Sequence, residues 1–477
     1  MALERAERPA FVPSPALAGP GVKAWAADLF AGAGFPDRRL ARRARTIAAA
    51  FAARPADSIP QAFDDWAGTK GAYRFIENRR VTCQAIETSV AQAAARACLA
   101  YDSVLAVQDT TGATFPNAAR MEGLGSLNDG PTLGLMLHST LALRPDGTPL
   151  GLLNLQWWAR DPAEKGKAAA RRSRPLEQKE SAKWLQGIRA ARRAMASQNA
   201  SSRLIHLGDR EEDVHEVFQE IDATGEGAVI RCAQNRRVAD ARGRAGLAHD
   251  AVRKSRLLGA VRIDLPRSHG RPARDAVGVQ MRACRLRLEP PAHRRRRPVE
   301  ITLVEAWEKH AAPEGLEPLH WLLWTTETVE SLEDALAIVE IYKLRWRIED
   351  YHLVLKAGCR VEELQFESAE RAAKAIYLYA PAAVRIVALR DLARRQPDAP
   401  CTQVLSGAEW RALWTRIHKE APSRATPPPS LRQAVLWIGR MGGHLGRRGD
   451  GMPGVRALWR GWRDLQALAV LYAILAP

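Results

Sequence analysis

The stretch YKLRWRIEDYHLVLK, residues 342–356, lies in a segment free of helix breakers from Ser331 to Ala357, which predicts one continuous helix. At about 100° per residue, Tyr342, Arg345, Glu349 and Lys356 fall within roughly a 60° arc. Ile341, Leu344, Ile348 and Leu355 gather on the neighbouring arc, the expected buried stripe. An acid is thus held between cations along one line, beside a core face. A salt-bridged solvent face has the same pattern, so the rest of the chain decides what the line is for.

The whole chain is long enough, at 477 residues, for several domains and a large core, and its 46% hydrophobic content suits a globular protein. Lys and Arg outnumber Asp and Glu 71 to 53, a formal charge of +18 that points to nucleic acid or another polyanion as partner. Basic residues bunch at Arg38 to Arg45, Lys165 to Arg174 and His293 to Arg297. Arg predominates, which suits bidentate phosphate contact. The six cysteines form no CxxC and no framework spacing, so they read as free thiols rather than a zinc site. MALERAERPAF at the start has no apolar core of an export signal, and the apolar run Leu465 to Ala476 is too short to span a bilayer. A cytoplasmic protein without a membrane partner is the expectation.

Up to about residue 80 the pattern is helical. In PDRRLARRARTIAAAF, Arg38, Arg42 and Arg45 share one face while Leu40, Ala44, Ile47 and Phe51 share another. Short helices with a basic face suit DNA docking, as they also suit any solvated amphipathic helix. From about residue 100 the period shortens. SVLAVQD, LMLHSTLAL and LGLLNLQWW predict three strands; then come a charged helix (Glu177 to Gln198), RLIHLGDRE, a helix around Asp213 to Ile221, and AVIRCA. The order β-β-β-α-β-α-β predicts a mixed sheet with helices on its faces. Residues from about 235 to 325 add further strands, among them AVGVQMRACRLRL, VEITLVEAW and HWLLWTTE, before the 342–356 helix begins; this block reads as an insertion. ATPPPS marks a break, and a helical tail follows. In its last helix Val455, Leu458, Trp462, Leu465, Ala469 and Tyr472 form a two-heptad seam, suited to packing inside the protomer or, by slight preference, against a partner.

Two strands end in an aspartate, Asp109 in VLAVQDTT and Asp209 in LIHLGDRE. Functional groups of α/β sheets gather at the carboxyl ends of strands, so the two suit one sheet edge, with Glu349 as a third acid. Either aspartate alone also suits a cap on the turn that follows it. Three converging carboxylates repel unless a cation sits among them, and hard oxygen ligands point to Mg²⁺, with Mn²⁺ as a substitute. Two such ions, about 3.5–4 Å apart, serve in-line phosphoryl displacement.

The pattern D, D, then Y-x2-R-x3-E-x6-K resembles the DDE transposases, in particular the cut-and-paste family of bacterial insertion sequences with a YREK signature. GAYRFI at 71–76, QDTT at 108–111, DREEDVH at 209–215, YKLRWRIEDYHLVLK and the tail GGHLGRRGDGMPGVRALWRGWRDL are similar to that family's blocks, in the same order, from about residue 22 to 470. The resemblance implies an α/β, RNase H-like mixed-sheet catalytic core with a β-rich insertion, flanked by helical N- and C-terminal domains. The expected divisions are 1–80 for a helical DNA-end-binding domain, 81–375 for the catalytic domain with its insertion at about 235–325, and 376–477 for a helical dimerisation region.

By the same resemblance, Asp109, Asp209 and Glu349 are the catalytic, metal-binding acids for two Mg²⁺ ions. Tyr342, Arg345 and Lys356 grip phosphates around the cleaved end, with Trp346 following the arginine as in the family. Trp321 is the expected stacking platform for a flipped base, Arg231 lies near the same strand, and Arg74, Arg38 and Arg42 are expected DNA contacts. His215 falls in a matching block without an assigned role. The implied partners are double-stranded DNA (inverted-repeat ends and target) and a second copy in a synaptic homodimer; the implied chemistry is strand cleavage through a hairpin, then insertion. GPTLGLMLHS replaces a stretch that is aromatic in relatives, and Leu353 stands where a basic residue is common, departures that bear on end affinity and rate. The rival readings are a non-catalytic repressor derived from a transposase and an RNase H-like structure-selective nuclease.

Overall fold

In the strand β1 (Ser103–Thr114), successive side chains leave for opposite faces, and both faces are covered. Val104 and Ala106 pack with helices Cys83–Cys98 and Ala182–Ser197, while Leu105 and Val107 join the larger core around the helix Ala369–Arg395. A sheet buried on both sides selects near-continuous apolar runs, which is why β3 (Leu133–Leu143) is buried over almost its whole length. The computed structural model describes residues 21–128, 130–164, 174–265, 272–291, 296–310, 312–447 and 450–475. Most of the basic clusters expected at 165–174 and 293–297 lies outside the described residues, as do residues 1–20.

After β1 come the short β2 (Gly125–Ser126), β3, β4 (Pro149–Trp158), β5 (Arg203–Gly208) and β6 (Gly227–Arg231). Their central order is β4-β3-β1-β5-β6, with β4, β3 and β1 antiparallel and β1, β5 and β6 parallel. This is the mixed sheet that the strand and helix order predicts, and it agrees with the RNase H-like core that the resemblance implies. The block after β6 supplies β7 (Arg237–Ala239), β8 (Ala245–Leu247), β9 (Leu257–Leu265), β10 (Arg274–Leu288), β11 (Val299–Glu308) and β12 (His320–Thr325). These strands do not form a separate sheet. β12 pairs antiparallel with β6, so the insertion extends the core sheet from its edge.

Four helices between Val22 and Glu77 form the N-terminal region. Its longest, Arg38–Ala53, is capped by Asp37, which accepts from Arg39 N, and buries Ala44, Ile47, Ala48 and Phe51. Phe51 stacks on Tyr379, with ring centroids 3.8 Å apart, so this region is anchored on the central helix Ala369–Arg395. That helix is long and apolar enough to cross a bilayer, yet the chain's own elements bury all of its apolar window. It also runs straight through the division expected at 375/376.

Two expectations change. The helix expected over 331–357 is four segments: an α-helix Leu332–Lys343, a 3-10 turn Leu344–Trp346, an α-helix Arg347–Leu353 and a π turn Val354–Gly358. Tighter and wider turns rotate side chains away from the 100° step that the single arc assumes. Tyr342 and Arg345 turn into the buried side, whereas Glu349 and Lys356 remain half-buried. The seam of the last helix, Val455–Leu475, packs inside the protomer: Val455, Leu458, Trp462, Leu465 and Ala469 are all buried. Trp462 Nε1 donates to Ala52 O at 3.0 Å and Gln466 Nε2 to Glu409 Oε1 at 2.7 Å, both within the same chain. The two-heptad repeat therefore marks intramolecular helix packing rather than a partner seam.

Candidate active site

β1 and β5 pair in parallel from Ser103 with Arg203 to Val107 with Leu207, at constant offset. Asp109 and Asp209 each stand two residues past that last pair. Asp209 directly follows β5, as expected, whereas β1 does not end at Asp109: it runs on to Thr114, paired with β3, and Asp109 sits opposite Ser139 where β1 has left β5. Alternation turns Asp109 toward the face that carries the 332–358 run, and Glu349 approaches from that run. The three predicted acids thus lie in one neighbourhood, with Asp209 and Glu349 both near enough to Asp109 to act on its charge.

Arg345 stands among them. Its Nη2 donates to Glu349 Oε1 at 2.7 Å, its Nη1 lies 3.9 Å from Asp109 Oδ2, and its guanidinium lies 4.2 Å from the centre of the Trp346 ring. The Arg345 side chain is only 6% exposed. Asp209 accepts from Glu211 N at 2.8 Å, so it also caps the turn that follows. Burial pushes the Asp109 carboxyl up to about 7; the Arg345 charge and the Thr110 N–H oppose that rise, and the neighbouring Asp209 and Glu349 add to it. A buried acid beside two others is a group that gains from a further cation.

The donor set is all carboxylate oxygen, which fits a hard divalent ion such as Mg²⁺. As they stand, no three Asp, Glu, His or Cys side chains among the described residues are close enough to share one ion. Arg345 explains part of this, because it holds the Glu349 carboxylate. The acids fit the ion by the chemistry of their donors rather than by their present spacing, and Arg345 lies against Asp109 and Glu349 as a neighbouring cation.

The remaining expected residues are distributed unevenly around this edge. Lys356 Nζ donates to Gly112 O at 2.7 Å and lies 3.3 Å from Glu362 Oε1, so it ties the end of the helical run to β1. Tyr342 packs edge-on against Trp321, with ring centroids 5.2 Å apart at 73°. Arg231 lies over the same indole at 6.0 Å and donates to His320 O at 2.7 Å. Trp321 itself is only 7% exposed. The expected base platform is therefore a covered core ring here, and a base reaches it only by displacing a neighbour. His215 Nε2 meets Arg297 O at 3.1 Å, a structural contact. Arg38, Arg42 and Arg74 are exposed on the N-terminal helices. Arg45, expected on the same basic face, instead donates to Phe30 O at 3.1 Å.

Sequence reading passed over His352. Its Nδ1 lies 4.0 Å from Asp109 Oδ2, and its Nε2 has no hydrogen-bond partner among the described residues. Burial, with the Lys356 charge adding, pushes this imidazole down to about 3, so it stays neutral beside the acid. The signal was available: three residues past Glu349, one helical turn, faces the same way. Gln108, His138 and Glu212, buried behind the strand ends, were also missed. Polar residues inside strand and turn patterns look like ordinary surface positions until the sheet is seen to be covered on both faces.

Comparison with known families follows the same architecture. Residues 22–81 match the transposase DNA-binding family, 186–384 the transposase DDE domain, and 381–474 the transposase Tn5 dimerisation domain. Asp209 and Glu349 fall inside the DDE match, whereas Asp109 lies before it, on the strand that pairs with β5. Three matches in this order give the chain the domain make-up of a DNA-binding DDE transposase of the Tn5 type.

Proposed function

We propose that this chain is a cut-and-paste transposase carrying the YREK signature, which binds the inverted-repeat ends of its own mobile element, excises the element and inserts it into target DNA in the bacterial cytoplasm. The observation that supports this reading is the proximity of Asp209 and Glu349 to Asp109, with Arg345 against Asp109 and Glu349, in a chain whose flanks match DNA-binding and dimerisation families. In this reading the three acids hold two Mg²⁺ ions, which when bound activate the attacking oxygen and stabilise the departing 3′ oxygen.

The chain's own residues do the positioning. The exposed Arg38, Arg42 and Arg74 take duplex phosphates, which sets register without reading bases. Arg345 has the planar fork to trade a carboxylate for a phosphate oxygen pair at the scissile bond. Lys356, fixed on Gly112 O, holds the helical run against β1 so that Glu349 keeps its place. Water first cleaves one strand, leaving a 3′ hydroxyl. That hydroxyl attacks the opposite strand to form a hairpin, a second water reopens it, and the 3′ end attacks target DNA. Each step makes one P–O bond and breaks one. Pairing of two copies brings both ends together, and Leu471 and Ile474 are exposed apolar residues within the matched dimerisation region, with exposed Leu475 directly after it.

The test is incubation of purified protein and Mg²⁺ with DNA carrying the element's two termini. Nicked and hairpin products are expected from the parent. Glu349→Ala should bind the ends and leave them uncut; normal cutting by that variant contradicts the assignment.

A further inference from the structure

Behind Asp109, on the opposite face of β1, lies a polar network that the proposed reaction does not use. Gln108 is fully buried and its Nε2 donates to Glu212 Oε1 at 2.8 Å. Gln108 Oε1 meets His138 Nε2 at 3.1 Å, and His138 Nδ1 meets Thr110 Oγ1 at 2.9 Å. One neutral tautomer satisfies both contacts, with Nε2–H donating to the glutamine and Nδ1 accepting from the threonine. Glu212 is 0% exposed, and its Oε2 has no hydrogen-bond partner among the described residues. A buried polar group left so is destabilising, a penalty that an apolar residue would avoid.

Two glycines clear the space for this pair. A methyl group at position 208 would collide with the Glu212 carboxylate, and one at position 187 with the Gln108 amide oxygen. Gly208 directly precedes Asp209, as Gln108 directly precedes Asp109. The Gln108–Glu212 bond therefore ties the residue before one acid to the turn that follows the other. The β1–β5 ladder stops at Val107 and Leu207, so this bond continues the link between β1 and the turn after β5 where backbone pairing of the two strands has ceased.

We infer that Gln108 and Glu212 are positioning residues, a clamp that sets the spacing of Asp109 and Asp209 for divalent-ion binding. The inference rests on the reading of those aspartates as ion ligands.

Mn²⁺ binding to the full-length, DNA-free protein, followed by electron paramagnetic resonance, tests it alongside end-DNA binding in EDTA and thermal melting. Glu212→Leu removes the bond, Gly208→Ala displaces the carboxylate, and the double exchange Gln108→Glu with Glu212→Gln keeps one donor and one acceptor. Weakening of Mn²⁺ binding by roughly 10- to 100-fold is expected for the first two, the usual range for groups that orient ligands. End binding in EDTA should stay unchanged, and the exchanged pair should recover most of the Mn²⁺ affinity. Parent-like Mn²⁺ affinity in Glu212→Leu overturns the clamp, and so does an exchanged pair that melts like the parent but binds Mn²⁺ as poorly as Glu212→Leu. If Glu212→Leu does not fold, Gly208→Ala decides on the same readouts. Asp109→Asn is the control: unchanged Mn²⁺ binding there sinks the ion-ligand reading itself rather than the clamp.

Discussion

Arg345 holds Glu349 across one helical turn, Nη2 to Oε1 at 2.7 Å, while its other terminal nitrogen faces Asp109 at 3.9 Å. A guanidinium almost wholly out of solvent thus balances acids that must otherwise repel. Removing it leaves Asp109 and Glu349 without their nearest cation. Arg345→Ala is expected to destabilise the ion-free protein by about 1–3 kcal/mol, the scale for orphaning a buried partner. Added Mg²⁺ should restore more stability to this variant than to the parent, because an ion that binds only the folded state stabilises it. Denaturant unfolding with and without Mg²⁺ measures both; equal stability of parent and variant without the ion contradicts the balancing role.

The raised Asp109 carboxyl has a pH signature. Its folded value of about 7 lies above the ordinary aspartate value, so the folded chain binds the proton more tightly than the unfolded chain does. The stabilising contribution is complete below the unfolded value and is lost as pH rises toward 7. Asp109→Asn should therefore stabilise the ion-free protein at pH 8, by a few kcal/mol at most, and change it little at pH 4. Thermal melting in EDTA across that window checks the sign. A variant less stable than the parent at pH 8 contradicts it.

Trp321 carries a structural load whatever its part in DNA handling. Its ring is packed against Tyr342 and lies under Arg231. Trp321→Ala should cost about 3–5 kcal/mol, the range for removing a large core aromatic, and Trp321→Phe much less. Equilibrium unfolding of both variants decides, and an alanine variant as stable as the parent contradicts the buried placement.

The last helix separates two roles along its length. Leu458 and Leu465 are fully buried in the protomer, whereas Ile474 is 73% and Leu475 78% exposed. Leu458→Ala should lower stability by about 2–5 kcal/mol. Ile474→Glu should leave the melting profile intact and weaken the pairing of DNA-bound copies. Sedimentation of the end-DNA complex reads that pairing, and an Ile474→Glu variant that pairs normally removes this face from the interface.

Much of this arrangement was legible in the chain. Asp109 and Asp209 end apolar sequence runs, and parallel pairing of the two strands sets the acids side by side, although β1 itself runs on past Asp109 because β3 continues to pair with it. The strand–helix order foretold the mixed sheet, because a sheet covered on both faces demands such runs. What stayed hidden depends on packing between distant segments. No local pattern announces that residues 344–346 and 354–358 leave α-helical geometry, nor that Tyr342 meets Trp321 and Lys356 reaches Gly112 from a distant segment. The seam from Val455 to Tyr472 has the same periodicity whether its partner is another copy or residues of the same chain, and here Ala52 and Glu409 supply the contacts. Glu212 looks like a solvated residue of a charged turn, and only the burial of its carboxylate behind Gly208 distinguishes it.

The most direct measurement is anomalous diffraction from crystals of the protein bound to its cleaved end DNA and soaked in Mn²⁺. Peaks are expected among the carboxylates of Asp109, Asp209 and Glu349, with Arg345 turned away from Glu349 toward the DNA. Mn²⁺ peaks elsewhere, with the Arg345–Glu349 pair intact beside an empty acid cluster, would contradict the account.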